Sequence, residues 1–425
     1  MIEANAINSC RVCGSKNLEL IISLGEQYVS NFVDSPSQSE SSQKIPLDLL
    51  LCDARNGGCG LLQLRHTTPP ELMYMQYWYK SGINQTMREA LADITGKAEK
   101  IIKLSPGDVV VDIGANDGTL LRSYRTNEIT TVGFEPARNL VPEAQVGTSK
   151  IVNDFFNYDS FAREFGSSKA KIITAIAMFY DLDNPNKFVA DIVKCLDKDG
   201  VFIIQQNYLL GMLQLNAFDN IVHEHLEYYS LLSISKLLAR HNLEVFDVET
   251  NELNGGSFRT YIRHKGSVVK GFDGADERVR KMLEEEKRIG LEDIKVYQNF
   301  AARINSIRDQ LTGFIKQEVQ KGKRIYIYGA STRGNTLLQY FQIDNRLIIA
   351  AAERNPDKWG KKTIGTLIPI ISEEQARKER PDYFLVLPWH FLQEFLKRER
   401  EYLMSGGKFI VPLPEFKVIG SEAVE

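Results

Sequence analysis

Between residues 107 and 205 short apolar runs alternate with amphipathic stretches, the runs being 109–113, 131–134, 172–177 and 201–205. Strands alternating with helices predict a doubly wound parallel sheet, and the run 258–263 reads as a late strand closing it. Upstream, Met87, Leu91, Ile94 and Ile101 recur at helical spacing within 67–104. The first 66 residues are turn-rich, with short apolar stretches only at 18–22 and 47–51. From Ala275 to Gln320 the pattern becomes long, charged helix, 278–288 and then 293–319. A second α/β unit opens at 324–329, with further strands at 347–352, 383–387 and 408–411 and helices near 334–342, 372–380 and 390–403. The predicted class is α/β: a small N-terminal module (1–66), a Rossmann-like central domain (67–266), a helical connector (267–321) and a Rossmann-like C-terminal domain (322–425). Two such units point to the cleft between them as the working site.

Composition narrows the partners more than the fold. A chain of 425 residues exceeds what one core holds. Hydrophobic content of 43% and charged content of 25% are ordinary for a globular protein. A net charge of -3 lacks the basic field that nucleic acid requires. No apolar run approaches a membrane-spanning length, residues 1–9 do not resemble a signal peptide, and five cysteines are no disulfide framework. The expectation is a cytoplasmic enzyme with neither nucleic acid nor membrane as partner.

Four of the five cysteines fall in two pairs, Cys10-Arg-Val-Cys13 and Cys52-(six residues)-Cys59. Thiolates two residues apart grip one metal from a tight knuckle, and two pairs complete a tetrahedral sulfur site. The insert after Cys52, Asp-Ala-Arg-Asn-Gly-Gly, is turn-forming, so the wide second pair can fold back. Four sulfur ligands leave no open position, so the zinc expected at Cys10, Cys13, Cys52 and Cys59 is structural. Cys195 reads as a core residue.

The run Val109-Val-Val-Asp112-Ile-Gly114-Ala-Asn116-Asp117-Gly118 carries an apolar strand into Asp-x-Gly-x-Asn-x-Gly, the way an S-adenosylmethionine (SAM) site begins. Gly114 permits the sharp turn, and Gly118 opens the next helix with no side chain over the ligand. Asn116 and Asp117 can meet the methionine end of SAM. Glu135, ending Val-Gly-Phe-Glu135-Pro136, can take both ribose hydroxyls. Asn153-Asp154-Phe155 suits the adenine, a polar edge beside an aromatic wall. The pyrophosphate fingerprint G-x-G-x-x-G is missing here.

His223-Glu224-His225 stands out among only six histidines. A His beside a carboxylate can act as a general base, and without an i,i+4 His pair the segment is no metal site. Two aromatic clusters, Tyr77-Trp78-Tyr79-Lys80-Ser81 and Met178-Phe179-Tyr180-Asp181, can contribute phenols that orient a hydroxyl or hold an enolate oxygen.

Taken in order, these pieces resemble the sugar C-methyltransferases that act on nucleotide-linked deoxy-ketosugars. The resemblance spans essentially the whole chain. It rests on the N-terminal cysteines with Gly-Leu-Leu-Gln-Leu, the Tyr-x-Tyr-x-Ser segment, the SAM loop and His-Glu-His-x-x-Tyr-Tyr-Ser. Asn254-Gly-Gly-Ser257-Phe-Arg259, Tyr328-Gly-Ala-Ser331-Thr-Arg333-Gly-Asn335 and 407–414 extend it. It implies SAM-dependent methylation of the carbon next to a ketone, with His225 as base, Glu224 its partner or a substrate ligand, and Tyr79 and Tyr180 as phenols. It implies Tyr77, Asp112 and Pro136 as further cofactor contacts. His223, Asn254, Ser257, Arg259 and Trp389 would meet a nucleotide-diphosphate sugar, with Gly329, Ser331, Arg333 and Asn335 forming a strand-to-helix phosphate loop. The family pattern often has Tyr where this chain has Val222, His where it has Tyr180, and Trp-Asn-Phe where it has Trp389-His390-Phe391. An oxygen-methylating variant, a nucleotide-sugar oxidoreductase and a non-catalytic zinc scaffold are the competing readings.

Overall fold

The structure, a computed structural model, describes residues 4–74 and 80–424; Tyr77 and Tyr79 lie outside the described residues. The central sheet has seven strands in the order Leu243–Asn251, Ser257–His264, Leu196–Asn207, Ala170–Ile176, Val109–Ile113, Thr130–Phe134, Lys150–Val152. The last five run parallel, while Ser257–His264 is antiparallel to both its neighbours. Val109–Ile113 is buried at every position, which explains an apolar run interrupted only by Asp112. Winding reverses between this strand and Ala170–Ile176, and that switch point opens a crevice at the strands' C-terminal ends.

Of the helix expected over 67–104, the described residues form Gln85–Ile101 and one short turn of helix at Glu71–Tyr74. Pro69-Pro70 interrupts the start of the predicted span, and the Asn84 side chain caps the longer helix by accepting from the Thr86 amide. Its buried face is Leu91, Ile94, Thr95 and Ala98, packed with Val110, Ile172, Val201 and Ile203 of the sheet. The helix foreseen after Gly118 is absent; the loop runs into a single 3-10 turn, Leu121–Ser123.

The C-terminal sheet has the order Ile370–Ser372, Ala351–Glu353, Ile325–Tyr328, Tyr383–Val386, Lys408–Val411, Lys417–Ile419, parallel except for the last strand. Its outer strands of three residues each are too short to leave a periodic signal. The expected strand at 347–352 is displaced to Ala351–Glu353. Two helices, Ala275–Ile289 and Ile294–Gln320, join the sheets. The second buries Tyr297, Phe300, Ile304, Ile307, Leu311 and Ile315, a stripe spaced by threes and fours.

The N-terminal module is an antiparallel sheet, Leu18–Tyr28, Lys44–Cys52 and Leu62–Leu64, and a fourth strand comes from elsewhere. Glu227–Tyr228, next to the His-Glu-His segment, pairs with Gln63 and Leu62. Phe32–Val33 of the same module pairs with Lys362–Thr363 of the C-terminal domain.

Candidate functional site

At the switch point lies a cavity of about 490 Å³. Residues at or just beyond the C-terminal ends of five successive parallel strands line it: Gly114 to Asn116, Glu135 to Ala137, Asp154 to Phe156, Ala177, Met178, Tyr180 to Asp183, and Asn207. Val222 to His225 close one side, and Ser30, Thr332 and Arg333 bring the N-terminal module and the C-terminal domain to the wall.

At the cofactor end, Gly114 turns with φ +71, and a Cβ there would stand 3.2 Å from the Met178 side chain. Asp112 is buried and accepts from Thr174 Oγ1 at 2.6 Å; burial pushes its carboxyl up to about 7. Glu135 takes the amide hydrogens of Asn116 and Ala137, each at 2.8 Å, one on each oxygen. Burial raises its pKa against those two bonds. Asp154 and Phe155 stand at the more exposed rim. Three expected cofactor contacts are not among the walls. Asp117, 1% exposed, is occupied by the Gly82 and Thr119 amides and the Thr119 hydroxyl. Gly118 packs toward Ala144. Asn153 donates to the carbonyls of Glu135 and Pro136.

At the other end the three-residue segment divides its work. His223 gives Nε2–H to the Ile45 carbonyl at 3.0 Å, which anchors the segment to the N-terminal module. Leu64 N–H to Leu226 carbonyl, 2.8 Å, continues the same seam. His225 gives Nδ1–H to the Asn220 carbonyl at 2.9 Å. A carbonyl can only accept, so the neutral imidazole keeps its lone pair on Nε2. Burial, then the Arg333 charge, push this His down to about 3, so it is neutral at physiological pH. Tyr180 packs edge-on against the ring at 4.4 Å. Burial raises Glu224 to about 7. Asp181, a carboxyl not singled out from the sequence although it adjoins Tyr180, shares the cavity and is raised by burial and by Glu224.

Most of the predicted substrate contacts fall elsewhere. Arg259, 3% exposed, binds Asp93 and Glu249, each at 2.9 Å, and Gln205. Ser257 donates to Leu253, and Asn254 lies in the turn Leu253–Gly255. Ser331 caps the helix Thr332–Phe341 through the Gly334 amide, and Asn335 donates to Asn31 of the N-terminal module. Gly329, with φ +84, makes room for Pro388, which would lie 2.5 Å from a Cβ. Trp389 donates its indole N–H to Asp219 at 3.2 Å. Of the phosphate loop only Arg333 lines the cavity among the predicted residues.

Away from the cavity the four cysteines converge. Cys10 and Cys59 sulfurs are 3.5 Å apart, as are those of Cys13 and Cys52, and all four lie within 4.8 Å of one another. Zinc–sulfur bonds of about 2.3 Å put tetrahedral sulfurs roughly 3.8 Å apart, so the array fits zinc. The Cys59 amide donates to Cys52 Sγ, and Arg11, inside the knuckle, bonds the Leu64 carbonyl.

Strand order and switch-point crevice define a Rossmann-like ligand-binding domain, and the thiolate cluster adds a zinc module. Three family models match in succession: one described as zinc binding over residues 10–74, a methyltransferase domain over 83–248, and a C-methyltransferase C-terminal domain over 252–414. The C-methyltransferase NovU of Streptomyces niveus is 31% identical over 425 residues, 98% of each chain. The chain belongs to this C-methyltransferase family and is a SAM-dependent C-methyltransferase. Among solved structures it is similar to a SAM-dependent methyltransferase from Clostridium acetobutylicum (14% identity, 42% of this chain and 92% of that one, TM-score 0.33). It is also similar to the magnesium protoporphyrin IX methyltransferase of Synechocystis (12%, 43% and 88%, TM-score 0.33). The family selects carbon methylation over the oxygen-methylating, oxidoreductase and scaffold readings.

Proposed function

We propose that the substrate is a nucleotide-linked deoxy-ketosugar, methylated on the carbon beside its ketone through an enolate. The observation that carries this reading is His225: its tautomer leaves Nε2 unprotonated, and the ring lies in one cavity with the cofactor-end residues. Carbon methylation requires a carbon nucleophile, and the unprotonated Nε2 can take the proton beside a ketone, its basicity rising from the low resting value as negative charge develops on the substrate. SAM, held by the turn at Gly114 to Asn116 with Glu135 and Asp154, supplies an electrophilic methyl group. Tyr180 fixes the plane of the His225 ring, and Glu224, raised toward neutrality, bonds a substrate oxygen or relays the proton. Tyr77 and Tyr79 stay in the proposal as cofactor and positioning phenols. The nucleotide lies toward Ser30 and Thr332.

A panel of nucleoside-diphosphate ketosugars incubated with SAM tests this, with NMR locating the new methyl group. The expected product carries it on the carbon next to the ketone. His225→Asn should keep SAM affinity yet lose on the order of 100- to 10,000-fold in turnover, the usual worth of a general base. The variant should also lose exchange of the substrate's α-proton into heavy water. Near-native turnover by His225→Asn would pass the base role to another group, and a methyl group on a carbon not adjacent to the ketone would end the enolate reading.

A further inference from the structure

We infer that Arg333, delivered by the C-terminal domain, is a catalytic residue whose guanidinium meets the negative charge developing on the ketone oxygen as the enolate forms. This deepens the proposed C-methylation and rests on it. The sequence places Arg333 in a phosphate loop, but its surroundings point to the reacting carbon. Its side chain lines the same cavity as Tyr180, Glu224 and His225. The buried carboxylate of Asp219 holds its NH2 at 3.0 Å, and the same carboxylate oxygen accepts the Trp389 indole. The next residue, Asn220, supplies the carbonyl that orients His225. One 3-10 turn, Phe218–Asn220, thus sets base and cation in register through adjacent residues.

The rest of the loop is spent on structure: Ser331 caps its helix and Asn335 ties down the N-terminal module. Among the described residues that line the cavity, Arg333, held by Asp219, is the one lysine or arginine. Its field reaches the reacting end, where it adds to burial in holding the His225 imidazole neutral, and it opposes the burial that raises the Tyr180 phenol. A cation there favours an anion forming in front of it, and the enolate's charge offsets the cost of protonating the base beside Arg333. Preorganised donors aimed at developing charge are among the largest contributions to catalysis.

The step balances. The Nε2 lone pair takes the α-proton, the C–H pair becomes the enolate double bond, and the carbonyl π pair moves onto oxygen against Arg333. As the α-carbon bonds the methyl group, the sulfonium C–S pair stays on sulfur, the oxygen pair re-forms the ketone, and the imidazolium later releases its proton to solvent.

Arg333→Gln and Arg333→Lys test the inference on whichever nucleotide ketosugar the native enzyme methylates. SAM affinity and thermal transition are measured first. Arg333→Gln should lose on the order of 100- to 1,000-fold in kcat, as for loss of one oxyanion donor. Its α-proton exchange in heavy water should fall in parallel. Calorimetric affinity for uridine and thymidine diphosphate should be unchanged, and Arg333→Lys should recover part of kcat. If Arg333→Gln lacks a native transition, Arg333→Lys carries the test through its own loss of kcat with nucleotide affinity intact. A variant with native kcat and weakened diphosphate binding would make Arg333 a phosphate ligand and overturn the inference. If the native enzyme methylates the α-carbon while Arg333→Gln keeps its kcat, the inference alone fails. A native product methylated elsewhere fails the functional reading first.

Discussion

His223 and His225 are separated by a single residue, yet backbone carbonyls claim different ring nitrogens, so one histidine is tethered through Nε2 and the other keeps its Nε2 lone pair. That distinction depends on where Ile45 and Asn220 sit, which no local pattern encodes. Polar residues elsewhere were legible as candidates but not as to use: Asp117 and Arg259 match ligand-binding motifs yet satisfy buried donors and charges, because a buried polar group left unpaired is costly. Glu224 offers a test at this scale. Burial pushes its carboxyl from the ordinary 4.5 up to about 7. The folded protein therefore keeps a proton that the unfolded chain releases, and stability falls as pH rises through that window. Glu224→Gln removes the titration, so scanning calorimetry from about pH 5 to about pH 7.5 should show its Tm gaining steadily on the native protein's. A constant difference would return Glu224 to the ordinary carboxylate range.

Among elements, the two-residue strand Glu227–Tyr228 matters beyond its length. It joins the His-Glu-His segment to Leu62–Leu64, which follows closely on Cys59 and the cysteine knuckle. A zinc ion held by the four cysteines would brace the strand against which the His-Glu-His segment is set. Stripping zinc with a chelator, or replacing Cys13 and Cys59 together by Ser, should leave SAM affinity close to native. Turnover should fall on the order of a hundredfold, the scale of misplacing a reacting group by about 1 Å. Zinc content is followed alongside, and a folded, zinc-free protein with native turnover would refute this role. The sequence marked the cysteines and the histidines plainly. It could not mark their connection, since a two-residue strand carries no alternation to detect.

At the level of the whole molecule, the three units are joined rather than strung together. Phe32–Val33 pairs with Lys362–Thr363, Gln339 exchanges hydrogen bonds with the Tyr28 backbone, and Asp219 reaches Arg333 and Trp389. Arg303 of the long helix binds Asn216 and the Leu213 carbonyl of the central domain. Seams of this kind predict one cooperative thermal transition, with calorimetric and van't Hoff enthalpies in agreement. Two resolved transitions would show that the domains melt independently.

Most of the elements and much of the chemistry were legible along the chain. Apolar periodicity decides which face of a segment is buried, so the parallel strands, the long helices and both α/β units could be read locally, and the SAM loop, cysteine pairs and His-Glu-His segment announced their residue types. Which of those residues share a cavity was set by long-range packing. Partners such as Glu227 with Gln63, or Asp219 with Arg333, are more than a hundred residues apart along the chain. Their meeting is set by how whole sheets pack, and a hydrogen-bonding side chain does not carry in its own neighbourhood the identity of the distant group that will claim it.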